Sequence, residues 1–331
     1  MEKRLRAAIT GVSHYVPERR LTNADLEKRV DTSDEWIRTR TGIRERRILD
    51  EGVGTSYMAA RALEGLLEQK GLDASDIDLI VVGTISPDMM YPSTACLVQD
   101  SVGASNAWGF DLSAACCGFV FSLVTGAQFV ESGMHKKVVV IGADKMSATT
   151  DYTDRTTCVL FGDGAGAVLL EPAEDGVGIQ DYICHIDGAG GKNLYQPGGG
   201  SLHPATHETV DKKMHYVHQE GKEVFKFAVS CMADVSVDVM ERNGLTGEDL
   251  TLFVPHQANK RIIDASVRRM NLPEDRVMIN IDRYANTSAA TIPIGLSEAA
   301  EQKWLNRGDY VVIASAGGGY TWGSILIKWA Y

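Results

Sequence analysis

The chain has 331 residues, 44% of them hydrophobic, and a formal net charge of −11. That length points to two domains or two duplicated layers, and the acidic balance excludes nucleic acid as a natural partner. No apolar run reaches the length of a membrane span, and cysteines 96, 116, 117, 158, 184 and 231 show neither CxxC pairing nor metal-ligand spacing; reduced thiols in a cytoplasmic protein without a metal site are expected.

Met1-Glu2-Lys3-Arg4 is followed by a short apolar run, Leu5 to Val12, which reads as a strand and not as a secretory leader. Thr22 or Asn23 then caps a helix. Asp31 to Arg47 is locally basic, with Arg38, Arg40, Arg44, Arg46 and Arg47 around Trp36. An aromatic face for a base and guanidiniums for phosphates suit a nucleotide, and a solvated, salt-bridged loop explains the same composition equally well. Thr55 to Lys70 reads as an amphipathic helix, Asp78 to Gly83 as a buried strand, and Pro87 to Pro92 as a loop holding Met89, Met90 and Tyr91. Ser93 or Thr94 caps a helix running to about Val102.

Gly109-Phe-Asp-Leu-Ser-Ala-Ala-Cys-Cys-Gly-Phe119 reads as strand, tight turn and the start of a buried helix near Ala114, ending at Gly133. Cys116 falls in the first helical turn, where free N–H groups and the helix dipole favour a thiolate. Two adjacent cysteines equally suit core packing, and their side chains point about 100° apart, so at most one faces a site. Lys137 to Gly142 is another buried strand. The glycines of Phe161 to Leu170 precede a strand, not a helix, so they indicate close backbone packing and not a nucleotide loop. Residues 171–220 look irregular and solvated; they hold five of the eight histidines without clean metal spacing. Gly221 to Met240 is helical.

Gly71 to Gly83 can be laid on Gly244 to His256, and Val138–Ile141 on Val311–Ala314, at one common offset. Two matches at a single offset suggest duplicated α/β halves, 1–171 and 172–331, with a site between them. His256 then ends a buried strand at its carboxyl end, where α/β sheets place sites. In the following helix Arg261 and Arg268 share a face opposite Ile263, Val267 and Met270, a basic stripe that suits an acidic partner or a plain surface helix. Ile281 to Pro293 parallels the cysteine stretch as strand, turn and helix, with Asn286 beside the position equivalent to Cys116. Gly317, Gly318 and Gly319 allow backbone N–H groups to face a ligand. Cysteine as nucleophile, with histidine, asparagine and glycine N–H groups to steady an oxyanion or enolate, makes one constellation.

Over essentially its whole length the chain resembles β-ketoacyl-acyl carrier protein synthase III, of the thiolase-fold condensing enzymes. The motifs are Thr32 to Arg46, Asp111 to Phe119, Val254-Pro-His-Gln-Ala-Asn259, Asn286-Thr-Ser-Ala-Ala290 and Gly317 to Ser324. The resemblance implies an α/β duplicated αβαβα five-layered fold, a homodimer, and a Claisen condensation of an acyl-CoA primer with malonyl-acyl carrier protein. By position, Cys116 takes the acyl group, and His256 and Asn286 assist decarboxylation. The N–H groups of Cys116 and Gly318 form the oxyanion hole. Trp36, Arg40, Arg155 and Asn259 hold coenzyme A; it is a substrate, and no cofactor is implied. Lys260, Arg261 and Arg268 meet the carrier protein. Ile85, Met146 and Phe161 line the acyl pocket, and Tyr91, usually phenylalanine in the family, enters the partner subunit's. A cysteine hydrolase and a non-catalytic acyl-CoA-binding protein are the other readings of the trio; the tryptophan–arginine segment and the duplicated pattern argue against the first, and the intact trio against the second. A secondary-metabolism condensing enzyme shares every motif.

Overall fold

The structure, a computed structural model, describes residues 5–173 and 176–331; Met1–Arg4 lies outside them. Strand β1 (Arg6–Tyr15) leads to a small ribbon, β2 (Arg20–Thr22) paired with β3 (Glu45–Arg47), that encloses α1 (Asn23–Glu27) and α2 (Asp34–Thr41). Thr22 caps α1 in a reciprocal box with Asp25. Then come α3 (Thr55–Lys70), β4 (Leu79–Gly83), α4 (Thr94–Val102), β5 (Trp108–Leu112), α5 (Gly118–Glu131), β6 (Val138–Lys145) and β7 (Asp163–Ala173). The second part holds β8 (Gly178–Ile186), β9 (Leu194–Tyr195), α6 (His207–Asp211), β10 (His218–Gln219), α7 (Gly221–Arg242), β11 (Leu252–Pro255), α8 (Lys260–Met270), α9 (Ile281–Tyr284), α10 (Thr291–Glu301), β12 (Tyr310–Gly317) and β13 (Thr321–Lys328).

One sheet runs β1-β7-β6-β4-β5 and the other β11-β12-β13-β8. In the first, β4 and β6 are parallel with Leu79 opposite Val138. In the second, β11 and β12 are parallel with Leu252 opposite Val311, the same two positions carried forward by the offset of the sequence repeat. That offset is therefore also a register. Helices α3 and α4 cover the outer face of the first sheet, α7 and α8 that of the second, and α5 and α10 lie between the sheets. Strands buried on both faces explain the unbroken apolar runs: Val138 and Val140 enter the central core, whereas Val139 and Ile141 pack under α3. Among the described residues no helix is long and apolar enough to cross a membrane.

Three expectations need correction. Residues 171–220 are not wholly irregular: β7 continues to Ala173, and β8 is an edge strand paired with β13. An edge strand half open to solvent carries Gln180, Asp181 and His185 and so lacks an apolar run. The strand expected at Ile281 is the single helical turn α9, and the strand equivalent to β5 has shrunk to one bridge between Phe253 and Val277.

Arg46 is the third. Expected among the phosphate-binding arginines, it is fully buried, donating to the Leu21 and Val159 carbonyls and to Asn23 Oδ1. It ties the N-terminal ribbon to the segment preceding β7, and burial lowers its pKa to about 10. Arg47 is also spent on structure, donating to the Pro17 carbonyl. Arg46→Ala is expected to destabilise the protein by roughly 4 kcal/mol, because three buried acceptors lose their donor at ~1–2 kcal/mol each. Denaturant unfolding measures this; a loss below ~1 kcal/mol would contradict the anchoring role.

Candidate active site

The turn before α5 is set by Ala115, whose φ of 48° lies in the left-handed region and interrupts the helix. Residues Ala115–Cys117 form a 3-10 turn, and α5 begins only at Gly118. Cys116 thus sits just ahead of the helix, one step earlier than expected. The equivalent turn, Ser288–Ala290, precedes α10, and Ser288, at the position of the second half that matches Ala115, has φ 52°. The two strained turns meet at the centre of the molecule.

Second-sheet groups hold the cysteine turn. Ser315 Oγ donates to the Cys116 carbonyl at 2.8 Å, and Thr321 Oγ1 to the Ala114 carbonyl at 3.0 Å. Gly317 packs so tightly that a β-carbon there would come within 2.8 Å of the Cys116 nitrogen. The end of β12 therefore requires glycine for close approach. Cys116 and Cys117 diverge as expected: Cys116 lines both cavities described below, and the Cys117 Sγ donates to the Thr321 carbonyl. Burial opposes the thiolate that the helix start favours. Burial pushes the Cys116 thiol up to about 12, and a hydroxyl from Ser288 offsets this only in part.

His256 follows β11, and its backbone N–H donates to the Ala314 carbonyl at 2.8 Å. Its Nδ1 lies 2.7 Å from Thr291 Oγ1, and its buried Nε2 has no protein partner. Burial lowers the imidazole pKa to about 3, so the ring is neutral at ordinary pH. Asn286 follows Ala285, another residue with positive φ, and bridges by backbone to Leu160 and Gly162. Its Oδ1 accepts the Ser288 N–H at 2.8 Å, which leaves the carboxamide NH2 for the cavity. Asp144, on β6, ties the surroundings together. It accepts the N–H groups of Ile85, Ser86 and Ala289 and the hydroxyls of Thr84 and Ser86.

Cys116, His256 and Asn286 line one outer cavity of about 470 Å³ that reaches the surface at Arg40, Lys222 and Arg261. Cys116, Phe161 and Leu194 also line an inner pocket of about 350 Å³, with Ile85, Met146 and Gly318. The cysteine therefore stands where two mostly apolar cavities meet, the outer one rimmed by cations.

Residues 110–188 match the family described as 3-Oxoacyl-[acyl-carrier-protein (ACP)] synthase III, and residues 240–329 its C-terminal region. A β-ketoacyl-[acyl-carrier-protein] synthase III of Chlorobaculum tepidum is 58% identical over 328 residues, covering 98% of this chain and 100% of its own. The chain belongs to the 3-oxoacyl-[acyl-carrier-protein] synthase III family. Its fold is correspondingly the thiolase-like five-layered one. The solved synthase III of Aquifex aeolicus superposes with a TM-score of 0.90 at 43% identity, covering 98% of this chain and 100% of that one. The priming β-ketosynthase of the R1128 polyketide pathway superposes with 0.92 at 34%, covering 100% and 98%.

The residues matched to synthase III motifs fall into three groups. Trp36 is flanked by guanidiniums, Arg40 at 5.2 Å and Arg155 at 5.4 Å from its ring. Arg155 also pairs with Asp31 at the surface, where such a contact is weak enough to open. Asn259 lines the outer cavity but is largely spent on structure, capping α8 through the Arg261 N–H and donating to the Arg40 carbonyl. Arg261 lies over Phe225 at the cavity mouth, and Lys260 pairs with Asp264. Arg268 lies on the last turn of α8 and lines neither cavity. Tyr91 is 85% exposed and lies outside both cavities of its own chain.

Sequence reasoning missed Lys222 and Lys226, which bring two further cations to the outer cavity from the first turns of α7; their i,i+4 spacing was the available signal. It also missed Leu194, Tyr195 and Val217 in the wall of the inner pocket. They belong to the segment read as solvated, which β9 and β10 pin in place.

Proposed function

We propose that this chain catalyses the synthase III reaction, a decarboxylative Claisen condensation that opens fatty acid synthesis. Cys116 attacks the carbonyl of a short acyl-CoA, the bond to the coenzyme A sulfur breaks, and the thiol leaves with the cysteine proton. Malonyl-acyl carrier protein then loses CO2, and its enolate carbon attacks the acyl-cysteine carbonyl. The Cys116 sulfur departs, and a 3-oxoacyl-acyl carrier protein remains. His256 Nε2 and the Asn286 NH2 steady the enolate oxygen; the N–H groups of Cys116 and Gly318 receive the thioester oxyanion. The placement of Cys116 at the junction of the two cavities carries this reading. A hydrolase needs a water-activating base with a pKa near the working pH, and burial lowers the His256 pKa to about 3, which leaves it a weak base.

In this reading Trp36, Arg40, Arg155 and Asn259 receive coenzyme A, and Ile85, Met146 and Phe161 bound the acyl group. No cofactor is required. The division into halves 1–171 and 172–331 is supported by their shared register. A homodimer is supported by the open edge of β5, where Trp108 is half-exposed, and by the exposed Tyr91 loop. Unpaired cysteines fit the cytoplasm. A priming role in polyketide synthesis is the second reading, favoured by the fit to the R1128 enzyme.

Intact-protein mass spectrometry with a panel of acyl-CoAs, followed by peptide mapping, tests the first half-reaction. An adduct on Cys116 supports it; no adduct with any acyl-CoA contradicts it. In this reading Arg261, Lys222 and Lys226 at the cavity mouth, with Lys260 and Arg268 also on α8, meet the acidic carrier protein. Arg261→Glu is expected to raise KM for malonyl-acyl carrier protein about tenfold at low salt, since a rim charge acts mainly on encounter. Acylation by acyl-CoA should change far less; equal losses in both half-reactions would remove the docking assignment.

A further inference from the structure

The His256 ring touches the protein through one nitrogen, and the other faces the outer cavity unpartnered. A neutral imidazole carries one proton. Which nitrogen holds it decides whether the atom facing the cavity donates or accepts. Burial keeps the ring from taking a second proton until about pH 3, so the choice of tautomer matters at every ordinary pH.

The partner of Nδ1 is the Thr291 hydroxyl, which also has a single proton to give. Two acceptors compete for it, His256 Nδ1 at 2.7 Å and the Ser288 carbonyl at 3.2 Å. The carbonyl already accepts the Thr291 backbone N–H. Its distance from the hydroxyl also lies beyond the usual O–H···O range of about 2.5–3.0 Å. Nδ1 sits at a good hydrogen-bond distance and has no other donor. We propose that Thr291 is a positioning residue that gives its hydroxyl proton to His256 Nδ1 and so holds the ring as the Nε2–H tautomer, a donor aimed at the substrate.

The placement is rigid. Thr291 is the first residue of α10, buried, and follows the strained turn at Ser288. The same turn sends the Ser288 N–H to Asn286 Oδ1, which orients that carboxamide with its NH2 outward. One short segment, Ser288 to Thr291, thus turns both neutral side chains into donors. The opposite tautomer would present a lone pair to an enolate oxygen, two acceptors facing each other.

This inference rests on the condensing-enzyme reading and is tested with the 331-residue chain and two variants. Thr291→Val keeps the shape and removes the hydroxyl, and Thr291→Ser restores it. In single-turnover assays Thr291→Val should acylate Cys116 within about twofold of the parent and lose condensation about 100-fold, the cost of one oxyanion donor. Thr291→Ser should recover most of that loss. Histidine-selective 15N spectra, assigned with His256→Ala, should show Nε2 protonated in the parent and in Thr291→Ser, and the proton redistributed towards Nδ1 in Thr291→Val. An Nδ1–H parent ring, or a Thr291→Val variant that condenses within twofold of the parent, would overturn the proposal. If the parent acylates but never condenses, the condensing-enzyme reading fails, while the spectra still decide the tautomer.

Discussion

Cys116→Ser is expected to abolish covalent acylation, by on the order of 10⁴-fold or more, while the fold is retained. The substituted hydroxyl stands at the same junction between the outer cavity and the inner pocket, but it is far harder to deprotonate than a thiol. Cys117→Ser is the control. Its sulfur donates to the Thr321 carbonyl and lines neither cavity, so the variant should acylate within a few-fold of the parent. Peptide mapping of the adduct decides between the two, and a normal adduct in Cys116→Ser with none in Cys117→Ser would reverse the assignment. The pH dependence of alkylation adds a second check. The thiol is pushed up to about 12 by burial, so the thiolate is scarce at neutral pH and its fraction rises about tenfold per pH unit up to pH 9. A midpoint near 7 in the free enzyme would mean that the helix terminus outweighs desolvation after all.

His256→Ala should separate the half-reactions. Acylation needs the cysteine and the oxyanion N–H groups and should survive within a few-fold. Condensation should fall about 100-fold or more, because a donor to the developing enolate is gone. Asn286→Ala should behave alike, and the double variant should cost less than the two losses combined, since both donors serve one oxygen. The sign of the pH effect is definite. Burial lowers the His256 pKa to about 3, so protonation begins only far below neutrality, and His256 contributes no acidic limb near pH 6.5. A limb with a midpoint of 6–7 that disappears in His256→Ala would show a titrating imidazole and refute the neutral-donor role. Rates of 3-oxoacyl product formation and of CO2 release, measured from the pre-acylated enzyme, make both comparisons.

Much of the molecule is legible in the chain by itself. The repeat reads directly from Leu79 and Leu252, because strands buried on both faces must be apolar throughout and so leave a recurring signature. Cys116, His256 and Asn286 are likewise visible, since each sits where an apolar run gives way to small or polar residues. Their family motifs are local and contiguous. The α8 stripe is visible because a helix on a surface must separate its faces.

Other features exist only once distant segments meet. Arg46 reads as one more basic residue among several; its burial comes from Leu21, Asn23 and Val159 closing round it. Thr291 and Asp144 carry no motif of their own, and their partners lie far away in the chain at His256, Thr84 and Ala289. β8 was hidden because Gln180, Asp181 and His185 interrupt its apolar residues, of which Ile179, Ile183 and Cys184 reach the cores only once the sheets pack. The state of the nucleophile is the plainest case. Its position at a helix start is local and was readable, whereas its protonation depends on how much water the second sheet excludes. Sequence placed Cys116, His256 and Asn286 where apolar runs end; enclosure by the two sheets decided their burial and the two cavities that meet at Cys116.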